Sequence, residues 1–245
     1  MRRRLLLGVT ALAAGLGLAA CAPAMPGFPG APSAVTTPEP SLSAPGAAPD
    51  GPSSAPPEEP ASAVDGAVVI GDGAVEVELW VDLLCPYCRM FEEANGDYLG
   101  SLVDAGAATL RVHPIAILNR VSAGTQYSTR AANAFVCVAE RAPDEALGYL
   151  RRLYAIQPEE GTGGLTDREL AGEAPSAAAE CILDGWFSDW VDEWTQRALD
   201  LGIRGTPTVV VDGRLYPGGF DPADFRAFVE STPVRTVGEP RPVTA

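Results

Sequence analysis

The sequence predicts an α/β domain: a strand–helix–strand unit, then a run of helices, then a strand–strand–helix unit. Three observations predict it. Apolar residues alternate along 75–83 and lead into Cys85-Pro86-Tyr87-Cys88; apolar positions recur at helical spacing through about 121–201; and "GTPTVVVDGRLYPGGFDPADFRAFV" joins a hairpin signal to a capped helix.

The first strand is read from Val75, Val77, Leu79, Val81 and Leu83, which alternate with Glu76, Glu78, Trp80 and Asp82. After Cys88, Phe91, Tyr98, Leu99 and Leu102 fall near one helical face, and Gly106 supplies the stop. A second strand follows over 107–115, and strand, helix, strand in that order is what a parallel crossover requires. Next, Ala131, Ala134, Phe135 and Val138 mark one helix, and Pro143 opens another that carries Leu147, Leu150 and Tyr154. Thr166 with Glu169 has the capping-box spacing of a third, and "APSAAAEC" suggests a fourth. Phe187, Trp190, Val191, Trp194, Ala198 and Leu201 form the stripe of a last helix that ends at Gly202, with the tryptophans read as core packing. Beyond it, 208–211 is a short apolar strand, Asp212-Gly213 a type I′ turn, and 214–216 the return strand. Asp221 then caps a helix with Pro222 at its first position and Phe225, Phe228 and Val229 turned inward.

Ahead of the domain the composition changes. Arg2-Arg3-Arg4 precede an uncharged apolar run over 5–20, too short for a membrane-spanning helix and patterned as a secretory signal. Leu18-Ala19-Ala20-Cys21 resembles the bacterial lipobox, which implies cleavage before Cys21 and lipidation of its sulfur; an ordinary signal cut nearby and an uncleaved anchor are the alternatives. Two acyl chains would hold the protein firmly at a membrane. Residues 22–63 are almost wholly Pro, Ala, Gly and Ser, with too few large apolar side chains to bury a core. The expected organisation is a lipoprotein signal over 1–20, lipidated Cys21 and a disordered tether over 21–66, a folded domain over 67–233, and a frayed tail over 234–245.

The net charge is −15 and all 17 basic residues are arginine, three of them in the leader. No basic cluster remains to neutralise phosphates, which argues against nucleic-acid binding. Of five cysteines, four remain if Cys21 carries lipid, an even number that suits an oxidising compartment.

Cys85-Pro86-Tyr87-Cys88 at the start of the first helix and Gly205-Thr206-Pro207-Thr208 before the last strands, with Gly218-Gly219 after them, together resemble the DsbA-like branch of the thioredoxin fold. The helices of about 121–201 resemble that branch's insertion, and "YSTRAANAFVC" resembles the first inserted helix of exported Gram-positive, especially actinobacterial, members. The resemblance covers about 68–231. It implies an α/β thioredoxin fold with an inserted helical subdomain and a thiol–disulfide oxidoreductase, needing no cofactor, that introduces disulfides into exported cysteine-containing proteins. It further implies a membrane reoxidant of the DsbB or VKOR type, an extracytoplasmic location at the cell membrane, and a cis Thr206–Pro207 bond beside the cysteines. A reductase or isomerase on the same scaffold is an alternative, as is a binding lipoprotein in which Cys85–Cys88 is a permanent staple.

The chemistry of the pair can be argued from the residues. Thiol–disulfide exchange needs a thiolate, an accessible sulfur and a second thiol. At a helix N-terminus, free N–H groups and the helix dipole favour the Cys85 thiolate, so Cys85 is the expected nucleophile and Cys88, one turn in, the resolving thiol. Pro86 and Tyr87 lie between them; a histidine in place of Tyr87 could stabilise the thiolate as a cation, whereas tyrosine offers only its hydroxyl. Where thioredoxins keep a buried acid, six residues before the first cysteine, this chain has Leu79, while Asp82 lies nearer and either plays a related part or sits in solvent. Cys137 and Cys181 fall in the predicted insertion and are read as a structural disulfide, with two separate buried thiols as the alternative. A metal role is weaker, because structural zinc wants four Cys or His ligands and His113 is the only histidine. His113 itself is expected to be a half-exposed structural residue.

Overall fold

The alternation at 75–83 becomes the middle of a mixed sheet. A computed structural model describes residues 58–233. The expectations for the signal segment, Cys21, most of the tether and the tail lie outside the described residues. Within them the chain runs β1 (Ala63–Val64), β2 (Ala67–Ile70), β3 (Val75–Val81), α1 (Pro86–Asp104), β4 (Ala108–Pro114), α2 (Tyr127–Arg141), α3 (Ala146–Ala155), α4 (Asp167–Gly172), α5 (Ala179–Leu183), α6 (Ser188–Asp200), β5 (Thr208–Val211), β6 (Arg214–Leu215) and α7 (Pro222–Ser231). The sheet order is β1-β2-β4-β3-β5-β6. β3 and β4 pair in parallel, with Leu79 opposite Val112, and every other pairing is antiparallel.

Period-two patterning gives the sheet two faces. Val77, Leu79 and Val81 of β3, with Leu110 and Val112 of β4, enter the main core with Phe91 and Leu99 of α1. Phe225 of α7 meets Phe91 edge to face, ring centroids 5.2 Å apart, so α1 and α7 are locked together. The alternate side chain Trp80 instead packs with Ala198 of α6, and the Thr195 hydroxyl of that helix accepts the Ala116 N–H at 2.9 Å. The five helices α2 to α6 lie between β4 and β5 in sequence, as an insertion into the strand order.

Local signals act as their chemistry dictates. Thr166 Oγ1 accepts the Glu169 N–H while Glu169 accepts the Thr166 N–H, a complete capping box. Asp212 and Gly213 both have positive φ, 46° and 78°, as a type I′ turn needs. Asp221 accepts the Ala223 and Asp224 N–H groups and caps α7.

Four expectations are corrected. The stretch taken as the end of the tether contains β1, because Arg111 Nη2 donates to the Val64 carbonyl at 2.9 Å and the Asp65-Gly66 turn folds the strand back onto β2. At Gly66, φ is +77° and a Cβ would stand 2.2 Å from the Trp194 ring, so only glycine fits. His113 is 3% exposed, since it stacks on Trp80 with centroids 3.6 Å apart and interplanar angle 8°. Pro143 opens a single 3₁₀ turn, Pro143–Glu145, before α3 begins, and Leu201, past the end of α6, is 41% exposed.

Candidate active site

β3 stops at Val81, and the turn that follows is organised by one buried carboxylate. Asp82 Oδ1 accepts the Leu84 N–H at 2.8 Å, its Oδ2 accepts the Leu118 N–H at 2.9 Å, and its carbonyl accepts the Cys85 N–H at 3.0 Å. Asp82 is 0% exposed, which removes the solvent position left open by the sequence. Burial raises its carboxyl to about 6, against the opposing hydrogen bonds from Leu84, Ser128 and Leu118.

This turn delivers Cys85 to the N-cap of α1 in extended conformation, with Pro86 at the head of the helix, where its missing N–H costs nothing. The Cys85 carbonyl accepts from Cys88 N at 3.1 Å and Arg89 N at 3.2 Å. Its Sγ–H donates to the Thr206 carbonyl at 3.2 Å, across 121 residues of sequence. The Cys88 side chain is the largest influence lowering the Cys85 thiol; the Thr206 side chain and the N–H groups of Cys88 and Tyr87 also favour its thiolate. Against burial they bring it down to about 6 from an ordinary value of 9.0. Cys88 is moved the other way: burial first, then its ionised neighbour Cys85, push its thiol well above the usual range, with the Asp82 N–H opposing. The two sulfurs are therefore displaced in opposite directions, Cys85 toward the thiolate and Cys88 toward the thiol.

Cys85 is 4% exposed, less open than the expected nucleophile, because the Thr206-Pro207 segment lies across it. The Thr206–Pro207 bond is cis. Beside it opens a groove of about 370 Å³ bordered by Tyr87, Phe91, Pro207, Tyr216 and Phe220. Tyr87 is 58% exposed and stacks on Phe220 with centroids 6.2 Å apart. Cys137 of α2 and Cys181 of α5 stand apart from this site, joined to each other by a disulfide with Cα atoms 5.7 Å apart. Among the described residues, no group of three or more His, Cys, Asp or Glu is placed to hold a metal ion.

The family model described as thioredoxin matches residues 64–231, most of the chain. The chain belongs to the thioredoxin family. Among solved structures, this thioredoxin-family chain is similar to the reduced form of a disulfide bond oxidoreductase (DsbG) from Mycobacterium tuberculosis, at 28% identity and TM-score 0.60, covering 71% of this chain and 88% of that one. It is similar to reduced DsbA from the same organism at 28% identity and TM-score 0.60, covering 73% and 95%. MdbA, a thiol-disulfide oxidoreductase from Actinomyces oris, shares the fold at 19% identity and TM-score 0.57, covering 69% and 89%. No curated protein matches the chain. The fold is thus a thioredoxin fold of the DsbA type with its helical insertion.

Sequence reasoning missed two residues that the insertion of this thioredoxin-family domain brings to the pair. Gln157, just past α3, donates Nε2 to the carbonyls of Leu83 at 2.9 Å and Cys85 at 3.0 Å, fixing the turn from behind. Tyr154, one helical turn earlier, is 2% exposed. Only the apolar periodicity of α3 marked Tyr154, and it marked it as core; nothing in the sequence marks Gln157.

Proposed function

We propose that the chain is an extracytoplasmic thiol–disulfide oxidoreductase that introduces disulfides into exported proteins, with Cys85 as nucleophile and Cys88 as resolving thiol. The observation that carries the reading is the opposite displacement of the two thiols, Cys85 down to about 6 and Cys88 well up. A substrate thiolate attacks Cys85 Sγ of the Cys85–Cys88 disulfide, and Cys88 leaves. A second substrate thiolate then attacks the mixed disulfide at the substrate sulfur, releasing an oxidised product and the Cys85 thiolate. Holding Cys85 at about 6 makes it a good leaving group in that second step. It also favours the dithiol at pH 7 by about 1.4 kcal/mol, roughly tenfold, relative to a thiol of ordinary acidity. The groove bordered by Tyr87, Pro207 and Phe220 is where an extended substrate lies, with Thr206 and Pro207 facing it.

The same reading takes the protein to the outer face of the cell membrane through lipidated Cys21, and requires a membrane reoxidant of the DsbB or VKOR type. The Leu18-Ala19-Ala20-Cys21 pattern is what supports the lipid anchor; among the described residues no helix is long and apolar enough to cross a membrane.

The test is the reduction potential of the Cys85–Cys88 couple in glutathione buffers, together with the pH profile of iodoacetamide alkylation of the reduced protein. A potential above that of glutathione and an alkylation midpoint near 6 are expected. A potential as negative as that of a structural disulfide would leave a reductase or a binding protein instead. Loss of palmitate labelling in Cys21→Ala is the expected result for the anchor.

A further inference from the structure

Resting on the exchange reaction proposed above, we infer that Tyr154, contributed by the helical insertion, is a positioning residue whose phenol O–H stabilises Cys88 when it leaves as a thiolate. Gln157 lies just past the end of α3, where its N–H donates to the Tyr154 carbonyl at 3.2 Å and its side chain is fastened to the carbonyls of Leu83 and Cys85. With α3 packed on α1, these bonds hold Tyr154 behind the start of α1, in the same buried cluster as Cys88. The Tyr154 hydroxyl is buried and has no hydrogen-bond partner among the described residues. An unused donor in a dry interior is costly, and it persists where another state of the protein gives it a partner. Of the ionisable groups around the phenol, Cys88 acts on it most strongly, ahead of Glu92, Asp82 and Cys85. The Cys88 sulfur already has the Asp82 N–H and the Thr206 side chain favouring its thiolate, but burial outweighs both, and the phenol supplies a further donor to that anion.

The step balances as follows in bonds and charge. A substrate thiolate forms a new S–S bond with Cys85 while the Cys85–Cys88 bond breaks, and the electron pair goes to Cys88 Sγ. The substrate sulfur is oxidised and Cys88 is reduced. Tyr154 donates its hydrogen bond, directly or through one buried water, without giving up the proton. Cys88 then takes a proton from a neighbouring acid or from solvent. Because the donor is uncommitted in the dithiol and engaged only as charge develops, its effect falls on the rate of the step and leaves the acidity of Cys85 untouched.

The experiment is stopped-flow reduction of the oxidised full chain by dithiothreitol at pH 7, comparing wild type with Tyr154→Phe. Expected is a slowing of tenfold or more, the size of a hydrogen bond to a charged group. The pH midpoint for alkylation of reduced Cys85 should be unchanged, and the thermal midpoint unchanged or raised, since Phe keeps the ring and removes an unpartnered hydroxyl. A merely structural tyrosine would lower the thermal midpoint without a matching change in rate. Equal rates in the two proteins, with wild type reacting readily, would overturn the inference alone. A wild-type disulfide inert to dithiothreitol would overturn the exchange reading itself.

Discussion

Cys85 and Cys88 are 4% and 2% exposed, and Cys137 and Cys181 are 0% and 1% exposed, so burial does not distinguish the two cysteine pairs. Their surroundings do. Cys85 stands at a helix N-cap with N–H groups, the Thr206 side chain and a second thiol directed at it, and its partner lies one turn along the same helix. Cys137 lies well inside α2, whose residues from Tyr127 to Ala139 are buried apart from Arg130, and its partner lies in another helix. In a dry interior, the donors aimed at a sulfur decide whether it is a reagent or a fastening.

The contrast can be broken most sharply by exchanging losses. Cys85→Ser is expected to abolish dithiol–disulfide exchange, on the order of a thousandfold or more, as removal of a nucleophile does. Cys137→Ala with Cys181→Ala should leave the alkylation rate of Cys85 within about twofold, the two sites being independent. Mass-resolved alkylation checks both; comparable losses in the two proteins would mean that the pairs are not separate in function.

The second pair should dominate stability instead. Its loop spans 44 residues, for which chain entropy gives about 4 kcal/mol. Urea unfolding of the Cys137→Ala, Cys181→Ala protein should show a loss near that size, and an unchanged midpoint would make the bridge ornamental.

A somewhat smaller effect belongs to the carboxylate under the first pair. Asp82 is raised from 3.8 to about 6, so between these values the folded chain binds more protons than the unfolded one. Stability contributed by this group is therefore lost as pH rises through that window, by about 3 kcal/mol in all. Asp82→Asn should remove that loss, so its stability relative to wild type should climb by about that amount from pH 4 to pH 7. A pH-independent difference in urea midpoints would show that Asp82 titrates normally.

Much of this was legible because it is local. The alternation of β3, the Thr166 capping box, the Asp212-Gly213 turn and the Asp221 cap are each written within a few residues, and so is the sequence pattern of the Cys85–Cys88 pair. The features that escaped depend on contacts far along the chain. β1 and β2 are two and four residues long, too short for a periodic signal, and are held by Arg111 and by the Trp194 ring over Gly66. The burial of Asp82 needs Leu118, brought back by the loop after β4, and the place of Gln157 needs α3 to pack behind α1. His113 was misjudged because alternation places it on the face opposite the core strands but says nothing of Trp80 covering it.

The Cys137–Cys181 bridge has a consequence for how copies of the protein come into being. Its sulfurs lie inside α2 and α5 rather than at a helix N-cap beside a groove, so an outside reagent meets them only while those helices are open. They must be joined while the newly delivered chain is still open. A protein with the activity proposed above is then a client of its own trade: each nascent copy is finished by an older one, or by another oxidant already present. Where older copies are that oxidant, the supply of mature molecules depends on the number already present.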